Sequence, residues 1–136
     1  MRLLIHSAPA PAEDLALEEA IQLGLEDGTS PPTWRLWQSA APAVVLGTGL
    51  EHAQEVALEA ARAAGVAVLR RHSGGGAVLI GPGVLHFSGF HRLAELPGGE
   101  TISGAMQAGL QPVLAALARL GVRAEFAGLS DIAVRQ

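Results

Sequence analysis

A chain of 136 residues, 49% hydrophobic and 16% charged, carries enough apolar surface for one packed domain or part of a larger one, which argues against disorder and against two separate domains. A formal net charge of −4 leaves no basic footprint for nucleic acid or an anionic membrane, so any anion site must be local. Cysteine is absent and the nine Lys+Arg positions are all arginine, which removes disulfides, thiolate metal sites, a cysteine nucleophile and any lysine chemistry from this stretch of sequence.

No apolar run approaches the roughly 20 residues that span a bilayer, and MRLLIHSAPAPAED lacks a signal-peptide pattern, so no membrane partner and a cytoplasmic location are expected. LLIH at 3–6 predicts a short strand. In EDLALEEAIQLGLEDG, Leu17, Ile21 and Leu25 with Ala20 and Gly24 recur at helical spacing, Asp14 is placed to cap the start, and Gly28 with Pro31-Pro32 ends the helix. TWRLW (33–37) and AVVL (43–46) read as an antiparallel strand pair, followed by a turn at GTG. Residues 52–65 predict a second helix with Val56, Ala60 and Ala63 on one face, a Glu59–Arg62 pair outside and Gly65 as its stop. VAVLR, AVLI and VLHFS are strand patterns, the last two separated by a Gly81-Pro82-Gly83 turn. Thr101 is positioned to cap a helix holding Ile102, Met106, Leu110, Leu114 and Leu117, with a kink at Pro112 and a stop at Gly121. VRAEF and DIAV close the order β α β β α β β β α β β, an α+β class with mostly antiparallel neighbours. The last strand pattern offers an edge, which predicts a pairing partner: a homodimer or a complementary chain.

The densest chemistry lies in RRHSGGGAV, residues 70–78. A glycine run beside fixed positive charge suits either a bare turn or a cradle for an anion. A P-loop reading fails for want of a following helix and a lysine, and no G-x-G-x-x-G occurs. The five histidines (His6, His52, His72, His86 and His91) match no zinc signature, so no metal site is assigned, although His72 lies within the glycine motif. No G-x-S-x-G elbow supports a serine hydrolase.

RRHSGGGAV resembles the R-R-x-[ST]-G-G-G-A-V signature of the lipoate-protein ligase A / octanoyltransferase family, whose catalytic domain is similar to that of biotin protein ligases. The flanks agree in order: EDLALEEA resembles the family's N-x-A-x-[DE]-E-A helix, PTWRLWQ…PAVVLG the segment before the second helix, and AGLSDIAV the G-x-x-D-[IL] segment. The resemblance implies a mostly antiparallel sheet flanked by helices. It also implies transfer of lipoate or octanoate to a lysine of an acyl-carrier (lipoyl) domain, in ligases through an acyl-adenylate made from ATP with Mg2+. By the same resemblance Arg71, Ser73, Gly74, Gly75, Gly76, Ala77 and Asp131 fall at acyl- and adenylate-binding positions, and Trp37 matches an aromatic on the acyl side. Leu46, Val78, Leu79 and Leu85 are the apolar residues available for an acyl wall.

Two departures matter. Where ligases of the family often read F-H-D-x-G-N, this chain has Leu79-Ile80-Gly81-Pro82-Gly83-Val84, which weakens a Mg-ATP site of the usual kind. The family's lysine, in a K-[IV]-[SA]-G context after the G-x-x-D-[IL] segment, is absent, and so is the cysteine nucleophile of the covalent transferases. The expectation is therefore that residues 1–136 form the N-terminal part of a single catalytic domain, truncated or split and inactive alone, with no catalytic residue assigned. The alternative is a non-catalytic acyl-binding or assembly module.

Overall fold

A computed structural model describes residues 1–51, 55–128 and 130–134. The chain divides into two units, Met1–Phe90 and His91–Gln136. The first runs β1 (Arg2–Ile5), α1 (Pro11–Asp27), β2 (Thr33–Gln38), β3 (Ala43–Leu46), α2 (Leu58–Ala63), β4 (Ala67–Arg70), β5 (Val78–Ile80) and β6 (Leu85–Phe90). The second holds a 3-10 turn at Leu93–Glu95, then α3 (Ile102–Arg119), β7 (Ala124–Ala127) and β8 (Asp131–Val134).

In the first unit α1 starts at Pro11, where a missing N–H costs nothing and the fixed φ suits a helix. This earlier start overturns the expected Asp14 cap. Ala10 occupies the cap position with no side-chain bond, and Asp14, buried inside the helix, accepts instead from the Ala8 N–H at 2.8 Å. Gly28, at φ +85°, terminates the helix as expected.

The expected β2–β3 pair does not form. Strand β2 already has a partner on each edge, β1 parallel and β6 antiparallel, with Arg2 opposite Thr33 and Trp37 opposite His86. Strand β3 is the centre of a second sheet, parallel to β4 and antiparallel to β5. Between them Ser39 is buried and its hydroxyl donates to the Ala41 carbonyl at 2.7 Å, so the connection steps from one sheet to the other instead of folding back. Trp37, Ala43, Val45 and Ile80 form the core, with Leu15 of α1 and Leu69 of β4 packed against it. Helix α2 is shorter than its sequence pattern and buries no residue; residues 52–54 of that pattern lie outside the described residues. The Glu59–Arg62 pair does form, at 3.5 Å and fully on the surface.

In the second unit the Thr101 hydroxyl accepts from the Gly104 N–H at 3.0 Å, the expected cap, and Pro112 lies within α3. Strands β7 and β8 pair antiparallel from Ala124↔Val134 to Ala127↔Asp131. No described residue of this unit is buried. The class is α+β, with three antiparallel strand pairs and two parallel ones. Among the described residues no helix is long and apolar enough to cross a membrane.

Candidate functional site

The glycine loop crosses the end of β3. Leaving β4, the chain donates Arg71 N–H to the Leu46 carbonyl at 2.9 Å and takes Thr48 N–H on the Ser73 carbonyl at 3.0 Å. Any Cβ on Gly47 would overlap the Gly75 carbonyl, and Gly75 itself sits at φ +96°, so both positions require glycine. The Arg71 guanidinium lies beneath the loop. Its Nε and Nη2 donate to the Gly74 carbonyl at 3.1 and 2.6 Å, and Nη2 also reaches the Gly76 carbonyl at 3.0 Å. In a trans peptide the N–H points opposite to the C=O, and no peptide bond described is cis. Drawing two carbonyls towards Arg71 therefore turns the N–H groups of Gly75 and Ala77 the other way, as two donors on one side of the loop. Arg70 braces the opposite flank through Nη1, which donates to the carbonyls of Gly47 (2.7 Å) and Thr48 (3.2 Å).

A buried polar cluster stands between α1 and the first sheet. Arg35 is wholly buried and pairs with Asp14 through Nη2, donates to the Asp14 carbonyl at 3.0 Å and to the His6 carbonyl at 3.1 Å, and lies 3.6 Å from Glu18 Oε1. That same Glu18 oxygen accepts from Trp37 Nε1 at 2.8 Å and from the Ser88 hydroxyl. Trp37 stacks on His86 with ring centres 4.2 Å apart, and the Arg35 guanidinium is 4.8 Å from the indole centre. Burial pushes the His86 pKa below its ordinary value; the charges of Glu18 and Asp14 oppose this and Arg35 reinforces it. Reading for motifs passed over this cluster. Its signals were the alternation in TWRLW, which puts Thr33, Arg35 and Trp37 on one face, and two carboxylates one turn apart on α1.

The residues named from sequence are partly brought together. Arg71, Ser73, Gly74, Gly75, Gly76 and Ala77 form the loop, with Ser73 exposed. Trp37 and Leu46 are buried at 5% and 2% exposure, whereas Val78, Leu79 and Leu85 are 49%, 67% and 70% exposed. These four aliphatic residues do not line one wall: Leu79, opposite Val44, shares a sheet face with Leu46, Val78 lies on the other face opposite Val45, and Leu85 belongs to the other sheet. Asp131 opens β8 in the second unit. His72 Nδ1 approaches Glu19 Oε1 of α1 at 3.4 Å. Among the described residues no three His, Asp or Glu side chains gather in a way that could hold a metal ion.

Residues 10–136 match the family model described as the lipoyl protein ligase A/B catalytic domain. The chain is 36% identical over 122 residues to octanoyltransferase LipM of Symbiobacterium thermophilum, an alignment covering 88% of this chain and 42% of that protein. A lipoate protein ligase homologue of T. acidophilum solved with bound lipoic acid superposes with a TM-score of 0.77 at 26% identity, over 99% of this chain and 54% of the other. Lipoate-protein ligase A bound with ATP gives 0.80 at 26% identity, over 99% and 53%. The chain thus spans about half the length of the proteins it matches.

Proposed function

Because the chain belongs to the lipoyl protein ligase A/B catalytic-domain family, we propose that it holds a lipoyl or octanoyl group at the glycine loop for transfer to a lysine of a lipoyl domain, the reacting lysine coming from polypeptide outside these residues. The observation that carries this reading is the loop's conformation. Arg71 holds the Gly74 and Gly76 carbonyls from behind, and the N–H groups of Gly75 and Ala77 are left to meet the charge of an acyl phosphate or of a carbonyl under attack. Arg71 thus acts first on the loop, and its positive charge sits beneath the same two donors. Trp37, matched by the resemblance to the acyl side, is buried in the core and held by Glu18 and His86, so its part in this reading is to support the sheet beneath the site.

ATP and Mg2+ enter this reading as co-substrates of a ligase route, and octanoyl transfer from a carrier needs neither. Isothermal titration of the chain with a non-hydrolysable lipoyl-adenylate analogue tests the site. Binding that weakens at least about tenfold in Gly75→Ala, whose new Cβ would meet Arg71 Nη2 at 2.7 Å, supports it; unchanged binding rejects the loop as the site. Appearance of a lipoyl or octanoyl group on a lipoyl-domain lysine, on adding a lysine-bearing C-terminal half of a relative, separates the enzyme from a module that only binds the acyl group.

A further inference from the structure

We propose that two copies of this chain join through the open edge of β1, antiparallel across a twofold axis, so that two three-stranded sheets become one of six strands. Strand β1 ends its sheet, with β2 on one side and, among the described residues, no strand on the other. The Arg2 N–H donates to the Pro32 carbonyl at 2.8 Å and the His6 N–H to the Leu36 carbonyl at 3.2 Å, so by the two-residue period of a strand Arg2, Leu4 and His6 turn their backbone groups towards β2. Leu3 and Ile5 turn theirs to the open edge, and their side chains are 62% and 74% exposed. Strand β1 takes no part in the glycine loop, so this pairing stands or falls apart from the proposed function.

The edge is its own complement. With Leu4 on the axis, Leu3 stands opposite Ile5 of the second copy and Ile5 opposite its Leu3; because both residues face the open edge, each couple exchanges two N–H to C=O bonds. Edges are ordinarily kept apart by proline, charge or a bulge. Strand β1 has no proline, and Arg2, its one charged residue, donates to Thr33 Oγ1 at 3.1 Å and Ser30 Oγ at 2.9 Å, which draws the charge back onto its own chain. The face that carries Leu3 and Ile5 continues through Trp34 and Leu36 of β2 to Phe87 of β6, which stacks on Trp34 with ring centres 4.7 Å apart. None of these positions is charged, so a second copy adds like to like and leaves no ion unpaired. Four residues of edge and two aliphatic side chains per copy bury less than the roughly 1,200 Å² of a standard interface, which makes the dimer reversible, with a dissociation constant on the order of 10–100 µM.

Sedimentation equilibrium of the 136-residue chain between about 1 and 500 µM should show monomer passing into dimer. Ile5→Pro removes one outward N–H without touching a bond to β2, and should weaken association at least about tenfold. Two charged variants read the register: Leu3→Lys/Ile5→Lys and Leu3→Glu/Ile5→Glu each set like charges opposite one another and should stay monomeric, whereas their mixture should dimerise. In the parent chain, hydrogen exchange at Leu3 and Ile5 should slow as concentration rises, while Arg2 and Leu4, already bonded to β2, change less. The proposal is overturned if the parent stays monomeric throughout, if Ile5→Pro and both charged variants dimerise as the parent does, which would place the contact on another surface, or if the mixture of folded variants does not pair. The exchange of Leu3 and Ile5 in the parent decides the matter alone should a variant fail to fold.

Discussion

Arg35 is the residue on which the first unit's polar interior turns. Its guanidinium is buried and answered by two carboxylates of α1, Asp14 and Glu18. Taking away the cation leaves those carboxylates facing each other without compensation, and breaking a buried pair from one side costs about 3–5 kcal/mol. Arg35→Leu is therefore expected to lower the stability from urea unfolding by that amount, and a loss below about 1 kcal/mol would show that the carboxylates relax into water. His86 sets a pH dependence in the same cluster. Its folded-state pKa lies below the ordinary 6.5, chiefly through burial, so the unfolded chain takes up the proton first. Stability on this account falls as pH drops through 6.5 and stops falling once the folded form also protonates. His91, likewise depressed by burial, contributes with the same sign. The melting temperature of His86→Phe, which keeps a ring against Trp37, should fall less between about pH 7.5 and 5.5 than that of the parent. Equal slopes would remove His86 from the account.

At the scale of elements, what was legible in the sequence is what depends on neighbours in sequence. The glycine stop after α1, the Thr101 cap and the strand patterns all follow from local chemistry, and each is found. Partner choice between strands is not local. TWRLW and AVVL read as a pair because they are adjacent, yet the antiparallel partner of β2 is β6, roughly a third of the chain further on, and the register that joins Trp37 to His86 is set by burying one face against α1. The signature motif located the loop, but not that Arg71 would turn inward to the glycine carbonyls. The Asp14 cap failed because Pro11 is a better first-turn residue than Asp14 is a cap. Thr101→Ala should cost about 1 kcal/mol, read as faster amide exchange in the first turn of α3. Unchanged exchange there would mean that the turn is held by something other than its cap.

At the scale of the molecule, burial is unevenly shared. Every buried residue among those described lies before Gly83, while Ile102, Met106, Leu120 and Val134 of the second unit are 74%, 44%, 78% and 57% exposed. A helix and a hairpin whose apolar side chains, Leu110, Leu114, Leu117, Phe126 and Ile132 among them, are only partly buried gain less from the hydrophobic effect than the fully buried strands of the first unit. Opening free energies therefore differ along the chain, highest where β2 and β3 pass through the core and lowest in α3 and β7–β8. Hydrogen exchange of the 136-residue chain should reveal two classes of amide, with α3 exchanging at least about tenfold faster than β2. Equal protection of α3 and β2 would mean that the partly buried contacts of the second unit hold it as firmly as the buried core holds the first.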